Sequence, residues 1–580
     1  MLLSGCTGQS VLEDSRVTVA TSGSFFSLND HSGYGNTPAN RAIAQTVNSS
    51  FAYYNDESEL VLDESFGRME VISNDPFRVH YELAQDAVWS DGVAVDASDL
   101  LLAWVANSGA LNTPDFDDDA YVDPATGEYT KEFPDGVVHF DGAITSGLQY
   151  ANEIPELGDD GRSLTLTYDH YFIDWQLVLD VGVPAHVVAG RALSIDEPDA
   201  AKQALVDAVE SADEEDLAAI AGVWNSAYNF AEAPAQDSDL LVSNGPYVIS
   251  NLVPGDEVTL TANPRYRGEK QPTYETVVVR TIADPLAQVQ ALEEGDVDVI
   301  SPQLSADVAA TLDRLDGITI ANTVNGSYEH LDLTFGASPN GVFTDPRIRS
   351  AFLMTVPRDE LVEQTIGDLT SEPVRRDSQL FLPGAPGYSG AVEQNGSEEY
   401  ARPDIEGARE LLAEAGVSAP TVCLLYDPSN PRRLLEFQLI RDSAAEAGFR
   451  VTDCSSPDWL GLLGTASYDA ALFAWDYSNL SVTAVRSIFG TGEKGNLNGY
   501  SNETVDELIL QLSVTPEDDE QLELRIRLDE ALFADAYGVP LYQYPATVAF
   551  DDSVTGIAPA PLAAGVLWNV WDWAPADAAD

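Results

Sequence analysis

Catalysis needs convergent acids, bases or nucleophiles, and this sequence offers few patterns that would bring them together. It contains no Gly-x-Ser-x-Gly elbow, no His-Glu-x-x-His helix and no Walker-type phosphate loop. Gly490-Thr491-Gly492-Glu493-Lys494-Gly495 has the letters of a dinucleotide fingerprint, but residues 496–500 read as more loop where that motif should open a helix. Asp115-Phe116-Asp117-Asp118-Asp119 begins like a calcium loop, yet its sixth position is Ala120 and its twelfth is Thr126, where glycine and glutamate are needed. It reads as a solvated acidic loop. The six histidines (His31, His80, His139, His170, His186, His330) are scattered without paired ligand spacing, so no metal and no cofactor is expected. The most suggestive chemistry is Phe473-Ala474-Trp475-Asp476-Tyr477-Ser478, an apolar run ending in an acid between two aromatic rings. A carboxylate at a strand end beside a cleft can receive an ammonium, which needs such a partner once water is excluded. Asn498 and Tyr500 follow as polar and stacking groups, and Tyr34, in the loop after the first strand, is placed with them as a ligand contact.

The elements that must position these residues alternate in type. Residues 16–20 are alternating and β-branched, Phe77, Val79, Tyr81 and Leu83 alternate behind the turn Ser73-Asn74-Asp75-Pro76, and residues 97–106 read as a helix capped by Asp96 or Ser98. Residues 192–242, rich in Ala, Asp and Glu at helical spacing, read as acidic surface helices decorating the core. From residue 276 onward strands and helices alternate, including separate strands at 318–323 and 329–335, so the fold class is α/β. The tail returns to strand at 539–544 and 547–550 and ends in Trp568, Trp571 and Trp573.

A chain of 580 residues exceeds what one core sustains, so two or three lobes are expected. The formal charge of −68, with only four lysines (Lys131, Lys202, Lys270, Lys494), would repel phosphate backbones and excludes nucleic acid as a natural partner. No stretch reaches the roughly 18 uncharged apolar residues a transmembrane helix requires. Leu3-Ser4-Gly5-Cys6 looks like a bacterial lipobox whose cysteine is acylated, though the basic segment expected before it is missing. Cys423 and Cys454 flank one strand–helix–strand unit and read either as a disulfide or as two buried thiols.

Blocks along most of the chain resemble one family. Residues 81–104 (YELAQDAVWSDGVAVDASDLLLAW) are similar to the signature segment of extracellular solute-binding protein family 5, the oligopeptide- and dipeptide-binding components of bacterial ABC transporters. Asn244-Gly245-Pro246-Tyr247, Asn263-Pro264-Arg265-Tyr266, residues 290–298, residues 345–352, residues 408–416 and Gly538-Val539-Pro540-Leu541-Tyr542 extend the resemblance in order. It implies a bilobal fold like that of periplasmic binding proteins, with a hinge and an added domain. The expected divisions are a tether at 1–15, a discontinuous domain I at 16–55, 182–278 and 530–580, an inserted domain II at 56–181, and domain III at 279–529. It also implies a monomeric, lipid-anchored, extracytoplasmic protein that is not an enzyme and delivers peptides to a membrane permease. In the family's aromatic–acid motif the aspartate holds a peptide's α-ammonium, which implies that role for Asp476, although Asn479-Leu480 replaces the usual acid–proline continuation. The alternatives are envelope assembly or sensing on the same fold, or a non-peptide ligand such as a nickel chelate or an oligosaccharide.

Overall fold

A computed structural model describes residues 11–118, 120–123, 128–131, 133–143, 147–476, 481–562 and 565–576. The fold is α/β and is built around a ten-stranded mixed sheet. Its first strand, Leu12–Thr21, lies between two parallel neighbours, Tyr274–Thr281 and Val299–Ile300. Val17, Thr18, Val19 and Ala20 are all buried, so the alternation expected there gives way to burial on both faces, as a parallel strand covered on both sides requires. Beyond Val299–Ile300 the sheet continues through Gly538–Asp551, Ile318–Leu333, Ala470–Asp476, Thr421–Leu425 and Arg450–Asp453.

The strands Ile318–Leu333 and Gly538–Asp551 tie two hydrophobic cores together. Val17, Trp104, Val548 and Trp573 belong to one core, whereas Leu331, Phe352, Phe437, Val539 and Leu541 belong to the other. Residues 318–324 pair antiparallel with 545–551, residues 328–332 pair with 538–543, and the ladder is irregular between Val324 and Tyr328. Separate strands at 318–323 and 329–335, and at 539–544 and 547–550, are therefore not what forms. Each pair is one long strand, because the polar Asn325-Gly326-Ser327 makes a bulge in the ladder without ending it.

A second, antiparallel sheet, Gly67–Asn74, Phe77–Leu83, Ser163–Tyr168 and Glu156–Leu157, buries the alternating Phe77, Val79, Tyr81 and Leu83 against helix Ala97–Ser108 and its neighbours. Asp96 caps that helix, Asp99 returns a bond to the Asp96 N–H, and Gly109 stops it in the left-handed region at φ 69°. The acidic helices Pro198–Ser211 and Glu214–Ser226 are more than decoration. Leu205, Val209, Ile220 and Trp224 close the core beneath them, and the buried Lys202 ammonium reaches Asp96 at 3.0 Å and Asp99 at 3.4 Å.

The parallel pairing of Thr421–Leu425 with Arg450–Asp453 brings Cys423 and Cys454 to a Cα–Cα distance of 5.6 Å in a smaller cluster with Leu425, Tyr468 and Phe473, and a disulfide joins them around helix Pro431–Ala447. Among the described residues no helix is long and apolar enough to cross a membrane.

Candidate functional site

A cleft of about 580 Å³ opens where the two long strands change register, with Asn325, Gly326 and Ser327 in its wall. The bulge is held by side chains: Asn325 Oδ1 accepts from the Ser327 N–H at 2.9 Å, and a residue of the facing strand does more. Gln543 Nε2 donates to the carbonyls of Asn325 at 2.7 Å and Ser327 at 2.9 Å, replacing the ladder bonds lost there. Behind it the Arg376 guanidinium donates to Gln543 Oε1 at 3.0 Å and lies 3.7 Å over the Tyr328 ring.

Asp30, Asn36 and Arg41 enter the wall from the loop after the first strand and from helix Pro38–Val47. Thr37 caps that helix, and the buried Asn40 pins the loop by accepting from the Phe26 and Ser27 N–H groups and donating to the Gly35 carbonyl. Burial pushes the Asp30 carboxyl above its ordinary value, opposed by the charges of His31 and Arg41.

The same cleft has an aromatic corner made by Tyr53, Trp568 and Trp571. The Lys270 ammonium sits in it, 4.1 Å from the Tyr53 ring centre and 5.1 Å from that of Trp571, and is paired at 3.0 Å with the buried Asp63. The cleft therefore offers flat apolar faces together with an acid and cations, which suits a zwitterionic or multiply charged solute.

The residues singled out from sequence divide unevenly around this cleft. Asp476 is the cross-strand partner of Ser327, so its backbone reaches the cleft edge. The Asp476 side chain, Tyr477 and Cys6 lie outside the described residues. Trp475 is half-buried, its ring stacked 6.3 Å from His330 and edge-on to Phe473 at 5.5 Å, which ties it to core aromatics. Asn498 and Tyr500 are buried away from the wall. Asn498 Oδ1 accepts from the Tyr500 N–H, and the Tyr500 hydroxyl donates to Asp535 at 2.6 Å among Phe335 and Tyr537. Tyr34 is half-buried beside Phe26 at 5.0 Å, between Asp30 and Asn36 in sequence but not in the wall itself.

Sequence reasoning missed Lys270 and Asp174. The signal for Lys270 was its rarity, one lysine of four in a chain this acidic. Asp174 has no local signal. Its carboxylate accepts from the Val482 and Thr483 N–H groups at 2.9 and 2.8 Å and from the Thr483 hydroxyl at 2.6 Å. Those donors open helix Val482–Phe489, whose N-terminus favours an anion, so Asp174 fastens the first half of the chain to the second.

The family model for bacterial extracellular solute-binding proteins, family 5, matches residues 62–496. An uncharacterised lipoprotein of Mycobacterium tuberculosis is 27% identical over 586 residues, covering 99% of this chain and 95% of the relative. The oligopeptide-binding protein OppA of the same species is 22% identical, covering 89% and 78%. Among solved structures, the periplasmic EDTA-binding protein EppA superposes with a TM-score of 0.74 at 23% identity, covering 98% of each chain. AppA of Bacillus subtilis, solved with a nonapeptide, superposes with a TM-score of 0.62 at 16% identity over 97% of this chain and 99% of that one. The fold is thus that of periplasmic binding proteins.

Proposed function

Because the chain belongs to family 5 of the bacterial extracellular solute-binding proteins, we propose that it is the binding component of an ABC importer, capturing peptides in the cleft and passing them to a membrane permease. The observation that carries this reading is the position of the cleft, at a bulge in the two strands that both cores share. A crossing of two strands between lobes can serve as a hinge, so solute binding would favour one closed arrangement and shift the population toward it. In this reading domain I comprises 16–55, 182–278 and 530–580, domain II is 56–181 and domain III is 279–529. Acylated Cys6 tethers a monomer outside the cytoplasmic membrane, two acyl chains being enough for stable anchoring.

The peptide's α-ammonium pairs with Asp476, whose backbone stands opposite Ser327 at the cleft edge. Losing one member of a desolvated pair costs about 2 to 5 kcal/mol. Asp476→Asn keeps the shape and removes the charge, so calorimetry with a tryptic peptide mixture should report binding weaker by at least about tenfold, with the melting temperature of the free protein unchanged. Unaltered affinity in a folded Asp476→Asn protein would remove the anchor and, with it, the residue-level support for peptides.

A second reading, a carboxylate-rich solute such as a metal chelate, is favoured by Lys270 and Arg41 in the same wall. The same calorimeter separates the two: saturable binding of nickel–EDTA without binding of peptides supports the chelate.

A further inference from the structure

A second constellation lies away from the cleft, in the acidic loop whose calcium pattern failed. Asp118, His139 and Asp141 each offer one ligand atom, and these atoms all lie within 4.8 Å of one another. His139 Nε2 is 3.5 Å from Asp118 Oδ2. The Tyr129 hydroxyl donates to the same oxygen at 2.7 Å and stands 3.3 Å from Nε2. The set is an imidazole nitrogen aimed between two half-buried carboxylates, and among the described residues neither carboxylate forms an ion pair with lysine or arginine.

The surroundings hold the imidazole and leave room for Asp141. Phe116 and Phe133, themselves edge-on at 5.1 Å, pack against the imidazole with ring centres 5.4 and 5.5 Å away. Gly33 makes room for Asp141, since a Cβ there would stand 2.6 Å from both carboxylate oxygens. We infer that Asp118, His139 and Asp141 form a divalent-metal site, with zinc the best-matched ion and water completing the shell.

The donor set argues for this choice. Zinc takes histidine nitrogen and carboxylate oxygen at about 2.0 to 2.2 Å in a tetrahedron, which sets neighbouring ligand atoms about 3.3 to 3.6 Å apart. The His139–Asp118 pair already has that spacing, whereas Asp141, within 4.8 Å of both, must exchange its bonds from the Gly33 and Tyr34 N–H groups for the ion to join them. Calcium asks for six or more oxygens and magnesium for an all-oxygen octahedron, neither of which uses the imidazole.

The site would also act on the cleft. The Gly33 N–H donates to the Asp141 carbonyl and the Ala143 N–H to the His31 carbonyl, both at 2.8 Å, and Ser32 forms a β-bridge with Gly142. Metal at Asp141 would stiffen the loop to which these backbone bonds already tie the segment that carries Asp30 and Asn36 into the cleft wall. The inference stands apart from the solute reading, because the ion binds here whichever ligand the cleft takes.

The test is zinc titration of chelator-stripped full-length protein in high salt, which screens the diffuse acidity, with His139→Gln and Asp118→Asn beside the wild type. One saturable zinc per wild-type chain, weakened at least about tenfold in each variant, is the expected result. Equal binding by wild type and variants, or no saturable site, overturns the assignment. Cobalt(II) on the wild type alone guards against misfolded variants: the intense visible absorption of four-coordinate cobalt is expected, and a weak six-coordinate spectrum overturns the site.

Discussion

At the scale of residues, the least ordinary group is Glu436, fully buried in helix Pro431–Ala447 beside a second buried acid, Glu329. Arg433 pairs with Glu329 at 2.9 Å, the Tyr544 hydroxyl donates to Glu329, and the Tyr542 hydroxyl donates to Glu436. Burial first, and then the charge of Glu329, push Glu436 up to about 8, while the Tyr542 bond, Arg432 and Arg433 oppose the rise. A carboxyl whose folded value exceeds its unfolded value binds its proton more tightly in the native state. Its stabilising contribution is complete below the unfolded value, near 4.5, and is lost as the pH rises through the folded one. Glu436→Gln imitates the protonated form and does not titrate. Melting curves should therefore show the variant gaining on the wild type steadily from pH 5 to about pH 8 and levelling above it; a constant difference across that window would refute a protonated Glu436. None of this was legible in the sequence, where Glu436 is one acid among 96 Asp and Glu, because its partners come from strands about a hundred residues away on either side.

At the scale of elements, local pattern identified what local chemistry decides. The buried alternation of Phe77–Leu83 and the Asp96-capped helix Ala97–Ser108 formed close to expectation, since side-chain period and capping are read within a few residues. The long strands did not, because whether Asn325-Gly326-Ser327 ends a strand or bulges within one depends on Gln543, more than two hundred residues later. Asp174 and helix Val482–Phe489 are the same case across 308 residues. If that contact holds the closed arrangement, Asp174→Ala should weaken solute binding without touching the solute. Three hydrogen bonds to a charged acceptor are lost, and at about 1.5 kcal/mol or more each even partial replacement by water leaves at least about tenfold in affinity. Small-angle scattering at saturation with a tryptic peptide mixture should show compaction of the wild type and less of it in Asp174→Ala. Equal compaction and equal affinity would reduce Asp174 to a helix cap.

At the scale of the whole molecule, length and composition foresaw more than one core, and the resemblance spread through the chain indicated the family, which the match over residues 62–496 bears out. The chemistry of the cleft was only half visible. The sequence singled out Asp476, whose backbone pairs with Ser327 at the cleft edge, but the lining itself is assembled from Asp30 and Arg41, Tyr53, Lys270 and Trp571, four segments that no spacing rule connects. Whether this cleft carries peptides is decided by native mass spectrometry of the protein purified from its own cells without denaturation. A series of non-covalent adducts that fragment as peptides is expected, depleted in Asp476→Asn. Bare protein in both preparations, or adducts that are not peptides and are indifferent to Asp476→Asn, would contradict the peptide reading.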